Sequence, residues 1–253
     1  MIDIASLMDN PPCGVTAHID DEDFTIVHAL ISGATNTPYN GGFFYFILKC
    51  TSDYPLSPPK VKLMTTGAGT VRFNPNFYSC GKVCLSILGT WFGPGWLPSH
   101  TIEGVLISIQ SVMCENPIYN EPGFDEEAEP LAVEQYNLYV QTKTLHSAVA
   151  AMLEETNLPQ PLKHFIQRTF IQNFHMYEEL AIRNMESVPK LLKLSTSAIA
   201  RLASLYAKTS VSEENFKLRL DEETGFGENH ASDGDPFRNT LNKRSMSPDI
   251  FEQ

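Results

Sequence analysis

Basic residues are scarce: 18 Lys and Arg stand against 30 Asp and Glu, for a formal net charge of −12 over 253 residues. That deficit argues against a broad face for nucleic acid or for an anionic membrane, since both need concentrated positive charge. Long apolar runs are missing too: none approaches the roughly 20 residues that cross a bilayer. The opening MIDIASLMDN has acidic groups and no basic stretch ahead of an apolar one, so it does not read as a secretory leader. Cysteine is sparse and odd in number (Cys13, Cys50, Cys80, Cys84 and Cys114), which fits free thiols in a reducing cytoplasm or nucleus. Cys80 and Cys84 form no CxxC pair and have no pair of histidines near them, so no metal is expected. A phosphate loop is absent as well. The stretch from Thr65 to Thr70 (TTGAGT) lacks the GxxxxGK[ST] pattern and reads as a turn, and no cofactor is expected.

What is present is a globular composition, 42% apolar, enough for a sizeable core. Residues 2–9 read as a short helix stopped by Pro11 and Pro12. Alternation from Phe24 to Ile31, the aromatic run Phe43 to Cys50, and Lys60 to Met64 read as strands. TPYNGG (37–42) and the rigid YPLSPP (54–59) read as the connections between them, giving an antiparallel meander. From Val71 to Pro98 the chain has no period, and irregular stretches of that length are often functional. Ile102, Val105, Ile109, Val112 and Met113 share one face of a helix over Thr101–Cys114, with Thr101 or Ser99 as its cap. Beyond an acidic connector, Asp125 to Glu129, the pattern is helical. It has an imperfect stripe (Tyr136, Val140, Leu145, Val149, Met152), a long clean one (Leu162, Ile166, Phe170, Phe174, Tyr177, Ala181, Met185, Val188) and a third at Leu192, Ile199, Leu202 and Tyr206. Core packing accounts for all three. The expected division is an α+β core over 1–130, a helical extension over 131–210, and an acidic, aperiodic and disordered tail over 211–253.

Cys84 lies in the irregular stretch, eight positions after Asn76. A cysteine there is ordinarily a small buried apolar residue. The same pair also suits acyl exchange: a thiolate accepts and releases acyl groups readily, and an Asn amide can donate to the oxyanion formed when an amine attacks a thioester. Composition does not separate the two readings.

The ordered motifs do. TPYNGG, the YPxxPP-type loop at Tyr54–Pro59, Asn74-Pro75-Asn76 with Cys84 eight positions on, Trp96-Leu97-Pro98 and the helix after Thr101 together resemble the ubiquitin-conjugating enzyme family. Within it, GGFF at 41–44, VKLMTTG at 61–67, VRFNPNFY at 71–78, GKVCLSILGTW at 81–91 and ENP at 115–117 followed by NEPGF at 120–124 are similar to the Z type, which also carries a helical extension. The resemblance implies the ubiquitin-conjugating fold, a meander sheet packed by helices. It implies that Cys84 accepts ubiquitin or a ubiquitin-like modifier from an activating enzyme and passes it to a substrate lysine. Asn76 would stabilise the oxyanion or hold the loop, and Glu121 would be the acid at the gate or a solvated loop charge. Leu56, Pro98 and Ser99 would meet ubiquitin ligases. Asn74 stands where the family commonly has His, a mainly structural position. The segment Trp91–Gly95 is an insertion bordering the site. The segment before Pro11 lacks the Lys and Arg through which the family meets its activating enzyme, which implies a shortened form or docking by other surfaces. The rival readings are a non-catalytic scaffold of the same fold, and a thiol hydrolase. The hydrolase needs an activating His, and none of the seven lies between 73 and 96.

Overall fold

The run Phe43–Lys49 (FFYFILK) carries six apolar residues with no polar alternation, the pattern of a strand covered on both faces. In the computed structural model, which describes residues 2–124, 130–187 and 200–210, this run is β3, an inner strand of a four-stranded antiparallel sheet ordered β1-β2-β3-β4. Its partners are β2 (Ile26–Ser32) and β4 (Lys60–Leu63), in registers that pair Leu30 with Tyr45 and Leu48 with Val61. The sheet begins earlier than the sequence reading had it. Val15–Ile19 is β1, pairing Val15 with Ile31 and Ile19 with Val27, whereas Phe24 lies outside any strand and is 66% exposed.

Side-chain alternation along β3 divides the molecule into two apolar clusters. Phe44, Phe46 and Leu48 point to one face, with Val27, Ala29 and Ile31 of β2. They pack on Ile4 and Leu7 of α1 (Ile2–Asp9), on Ile102, Val105, Leu106 and Ile109 of α2 (Ile102–Val112), and on Phe73, Phe77 and Val83 of the irregular segment. Thr101 caps α2, its hydroxyl accepting from Gly104 N at 3.1 Å, so the cap falls to Thr101 rather than Ser99. Phe43, Tyr45, Ile47 and Leu30 point to the other face, and the C-terminal helices cover them. Each large side chain buried in this way contributes roughly 1.5–3 kcal/mol.

The imperfect stripe has a structural cause. α3 (Pro130–Lys143) runs into a π-helical segment, Thr144–Ala150, and then into α4 (Ala151–Glu154). Val140 and Leu145 are five residues apart. Both are buried, Val140 in the cluster with Phe44 and Phe46 and Leu145 in the cluster with Phe43 and Tyr45, so this stretch serves both apolar clusters. The long stripe reads as one helix, but it divides at Asn173 into α5 (Gln160–Gln172) and α6 (Phe174–Ser187). At the division the backbone leaves helical values (φ −110, ψ 17) and Asn173 Nδ2 donates to Thr169 O at 2.9 Å. Residues 200–210 are helical, with Leu202 buried and Tyr206 stacked on Phe174 at 4.1 Å. The Asp125–Glu129 connector, Val188, Leu192, Ile199 and the 211–253 tail lie outside the described residues.

The extension is pressed against the TPYNGG turn. Tyr177 is fully buried, and its hydroxyl donates to Gly41 O at 2.9 Å. Thr144 Oγ1 reaches Pro38 O at 3.2 Å. Gly41 has φ +73, and a Cβ there would stand 2.6 Å from Met176 Cε and 2.8 Å from Tyr177 Cε1. Backbone conformation and close approach both require glycine at this point. No described helix is long and apolar enough to cross a membrane.

Candidate active site

Short β-bridges fold the irregular segment into a hairpin, pairing Asn74 with Phe77 and Phe77 with Val83. The fold-back sets Asn76 against Cys84. Cys84 N donates to Asn76 O at 2.9 Å, and Asn76 Nδ2 donates to Cys84 O at 2.7 Å. Asn76 Oδ1 is buried without a partner. In this state the Asn76 amide holds the cysteine loop. That bond uses one of the two N–H donors on Nδ2.

Asn74 anchors the hairpin from below. It is fully buried; its Nδ2 donates to Tyr39 Oη at 2.8 Å and to Val112 O at 2.7 Å, and its Oδ1 accepts from Asn76 N at 2.9 Å. Asn120 Nδ2 also reaches Val112 O, at 2.9 Å. Tyr39 Oη in turn donates to Phe73 O at 2.9 Å, and burial raises its phenol well above the ordinary range. One amide thereby joins the TPYNGG turn, the end of α2, the 117–120 turn and the Asn76 hairpin.

Cys84 itself is buried, 3% exposed, between Val83 and Leu85. The segment that follows folds back on it. Thr90 Oγ1 accepts from Leu85 N at 3.0 Å and donates to Val83 O at 2.8 Å, on either side of the cysteine. A Cβ on Gly93 would be 3.0 Å from Ser86 Cβ. Gly93 of the Trp91–Gly95 segment therefore lies close to Ser86, two residues after Cys84. The segment presents Phe92, 91% exposed, and Trp91, stacked edge-on at 6.2 Å, outward.

Glu121 is half-exposed and pairs with Arg72, Nη2 to Oε2 at 3.0 Å. Arg72 Nη2 also donates to Pro75 O at 2.7 Å, and the guanidinium lies over the Tyr78 ring at 4.8 Å. Sequence reasoning passed over Arg72. The only signal was an arginine in an apolar run two positions before Asn74, and the pairing with Glu121 spans 49 positions.

Leu56, Pro98 and Ser99 are all exposed, Leu56 at 75%. Their loops are fastened together, because Trp96 Nε1 donates to Pro55 O at 2.7 Å and Trp96 packs on Tyr54 and His100. Leu97 beside them is exposed too. Among the described residues no group of three or more His, Cys, Asp or Glu could hold a metal ion.

A meander sheet backed by helices thus carries a cysteine and an asparagine amide joined across a hairpin. A family model described as "Ubiquitin-conjugating enzyme" matches residues 1–145, and the chain belongs to that family. It is 51% identical over 177 residues to "Ubiquitin-conjugating enzyme E2 Z" of Homo sapiens, covering 70% of this chain and 50% of that one. The match to the same-named protein of Danio rerio is 51%, covering 70% and 54%. It is 40% identical over 163 residues to "Dual E2 ubiquitin-conjugating enzyme/E3 ubiquitin-protein ligase BIRC6" of Homo sapiens, covering 62% of this chain and 3% of that one. The chain spans about half the length of the E2 Z relatives it matches.

Proposed function

We propose that the chain carries ubiquitin or a ubiquitin-like modifier as a thioester on Cys84 and transfers it to a substrate lysine, usually with a ligase. The observation that carries this reading is the Asn76–Cys84 pairing at 2.7 Å within the family-matched segment. In loading, the Cys84 thiolate attacks the carbonyl carbon of the modifier's thioester on an activating enzyme. A new C–S bond forms, the old one breaks, and the activating enzyme's thiolate leaves. In transfer, a lysine amine attacks the same carbon and gives up a proton. A C–N bond forms and Cys84 leaves as thiolate. An unperturbed lysine has a pKa near 10.4, so the site must help it lose its proton.

Asn76 donates to the oxyanion from its side-chain amide, and Glu121 meets the incoming amine. Leu56, Pro98 and Ser99 form the ligase contact, where an exposed apolar side chain on a fastened loop suits a small reversible interface. The partners are the modifier, its activating enzyme, ligases and protein substrates, with no nucleic acid or membrane. The setting is the cytoplasm and the nucleus. The core extends over 1–130 and the extension over 131–210. The burial of Cys84 favours a second reading, a scaffold of this fold that binds modifier or ligase without carrying it.

One experiment separates them. The purified chain is mixed with ubiquitin, ATP and each ubiquitin-activating enzyme in turn, and run on non-reducing gels. A thiol-sensitive band one modifier heavier is expected, lost in Cys84→Ala and thiol-resistant in Cys84→Ser. Folded protein that forms no adduct with any activating enzyme would leave the scaffold.

A further inference from the structure

Arg72 is set between two buried apolar residues, Val71 and Phe73, yet its side chain turns outward to three partners. It holds Pro75 O at 2.7 Å and Glu121 Oε2 at 3.0 Å, and it covers the Tyr78 ring at 4.8 Å. A guanidinium keeps several acceptors in a fixed relation, where a lysine ammonium serves as a point charge. Pro75 directly precedes Asn76, whose amide meets the Cys84 carbonyl. Glu121 stands at the end of the Pro117–Asn120 turn. One side chain thus joins the hairpin that carries Asn76 to the loop that carries Glu121. Both segments border a concavity of about 290 Å³ lined by Arg72, Pro75, Ile118, Glu121, Tyr136 and Tyr139.

We propose that Arg72 is a positioning residue for transfer out of Cys84: it holds the Glu121 carboxylate at a fixed place beside the Asn76 hairpin, so that an acceptor lysine meets the acid already oriented. The inference rests on the carrier reading above. Without Arg72 the half-exposed Glu121 turns to solvent and the Pro75 carbonyl loses its donor.

The test uses the full chain loaded with ubiquitin, separated from ATP and activating enzyme, and followed in single turnover against free lysine. Arg72→Leu keeps the apolar stem. It is expected to load, and its thioester to hydrolyse at the parental rate, while the limiting rate of discharge to lysine falls roughly ten- to a hundredfold. In a Glu121→Gln background the same change is expected to cost less than about twofold, because the two act through one geometry. Arg72→Lys is expected to recover part of the rate, and it carries the test if Arg72→Leu does not fold. Parental discharge by Arg72→Leu, or an undiminished loss in the Glu121→Gln background, overturns the proposal. A parent chain that forms no Cys84 thioester overturns the carrier reading and this proposal with it.

Discussion

Gly41→Ala adds one methyl group where the extension meets the core, and its cost divides into two parts. The first is conformational: φ +73 is left-handed backbone, which costs an alanine about 1 kcal/mol. The second is steric: the new Cβ would stand 2.6 Å from Met176 Cε and 2.8 Å from Tyr177 Cε1. Met176 has a flexible end, but the Tyr177 ring is fully buried against Phe170 at 5.3 Å and cannot retreat. Overpacking of this kind costs about 1–3 kcal/mol. Gly69 is the matched control, with φ +80 and nothing within 4 Å of an added Cβ. Gly69→Ala should therefore lose only the conformational part. With a combined cost of about 3 kcal/mol, Gly41→Ala should lower the melting temperature by roughly 6–12 °C, and Gly69→Ala by about a third as much. Thermal unfolding of parent and both variants, followed by circular dichroism, gives the comparison. Equal losses in the two variants would show that the extension does not bear on the turn, and would refute the packing argument.

Other consequences can be measured separately. His28 is buried between Tyr45 Oη at 2.6 Å and Asp20 Oδ2 at 3.0 Å, and burial holds its pKa below 6.5. The unfolded chain therefore takes up the proton first. This contribution to stability is complete above about pH 6.5 and is lost as pH falls through 6.5 toward the folded value. Urea midpoints measured across that window should fall on acidification in the parent, and His28→Gln should flatten that part of the profile. Burial pushes Asp20 up, but hydrogen bonds from His28 and from the Asp23 and Glu22 N–H groups outweigh it and leave the carboxyl lowered, so a further loss belongs below about pH 3.8. Asn76→Ala removes the bond to the Cys84 carbonyl and should cost about 0.5–1.5 kcal/mol of stability in denaturant melts. If the amide only holds the loop, loading and discharge should slow together; if it serves the oxyanion, discharge should slow far more. Leu56→Ala, at a side chain 75% exposed, should leave unfolding within about 0.5 kcal/mol of the parent while weakening ligase-stimulated transfer.

The meander was readable because turn chemistry at TPYNGG and YPLSPP brackets its inner strands. β1 escaped because VTAHI is five residues long, follows a Pro-Pro-Cys-Gly stretch and has one fully buried member, Val15. The five-residue step from Val140 to Leu145 was visible as a flaw in the stripe, but a flaw alone does not distinguish a π turn from a break. The break at Asn173 left no gap in the apolar pattern, because Phe170, Phe174 and Tyr177 continue across it. At the site, Asn76 and Cys84 lie eight positions apart on one hairpin, and a motif can carry a local relation of that kind. Arg72 with Glu121 is a relation across the fold, set by how the Pro117–Asn120 turn returns to the hairpin, and no local pattern encodes it. The return of Thr90 to the backbone on either side of Cys84 and of Gly93 to Ser86 is likewise not revealed by spacing.

The two-sided strand Phe43–Lys49 also sets a schedule for biosynthesis. Its second face is closed by Leu145, Val149, Leu162, Ile166, Phe170 and Tyr177, which leave the ribosome about 95–135 residues later than β3 itself. At synthesis rates of about 5–20 residues per second, the nascent chain shows Phe43, Tyr45 and Ile47 to the surrounding solution for roughly 5–20 s after β1–β4 are complete. During that interval the half-made protein is a sticky sheet with one finished side, and its yield in the cell depends on what shelters that side until the last helices arrive.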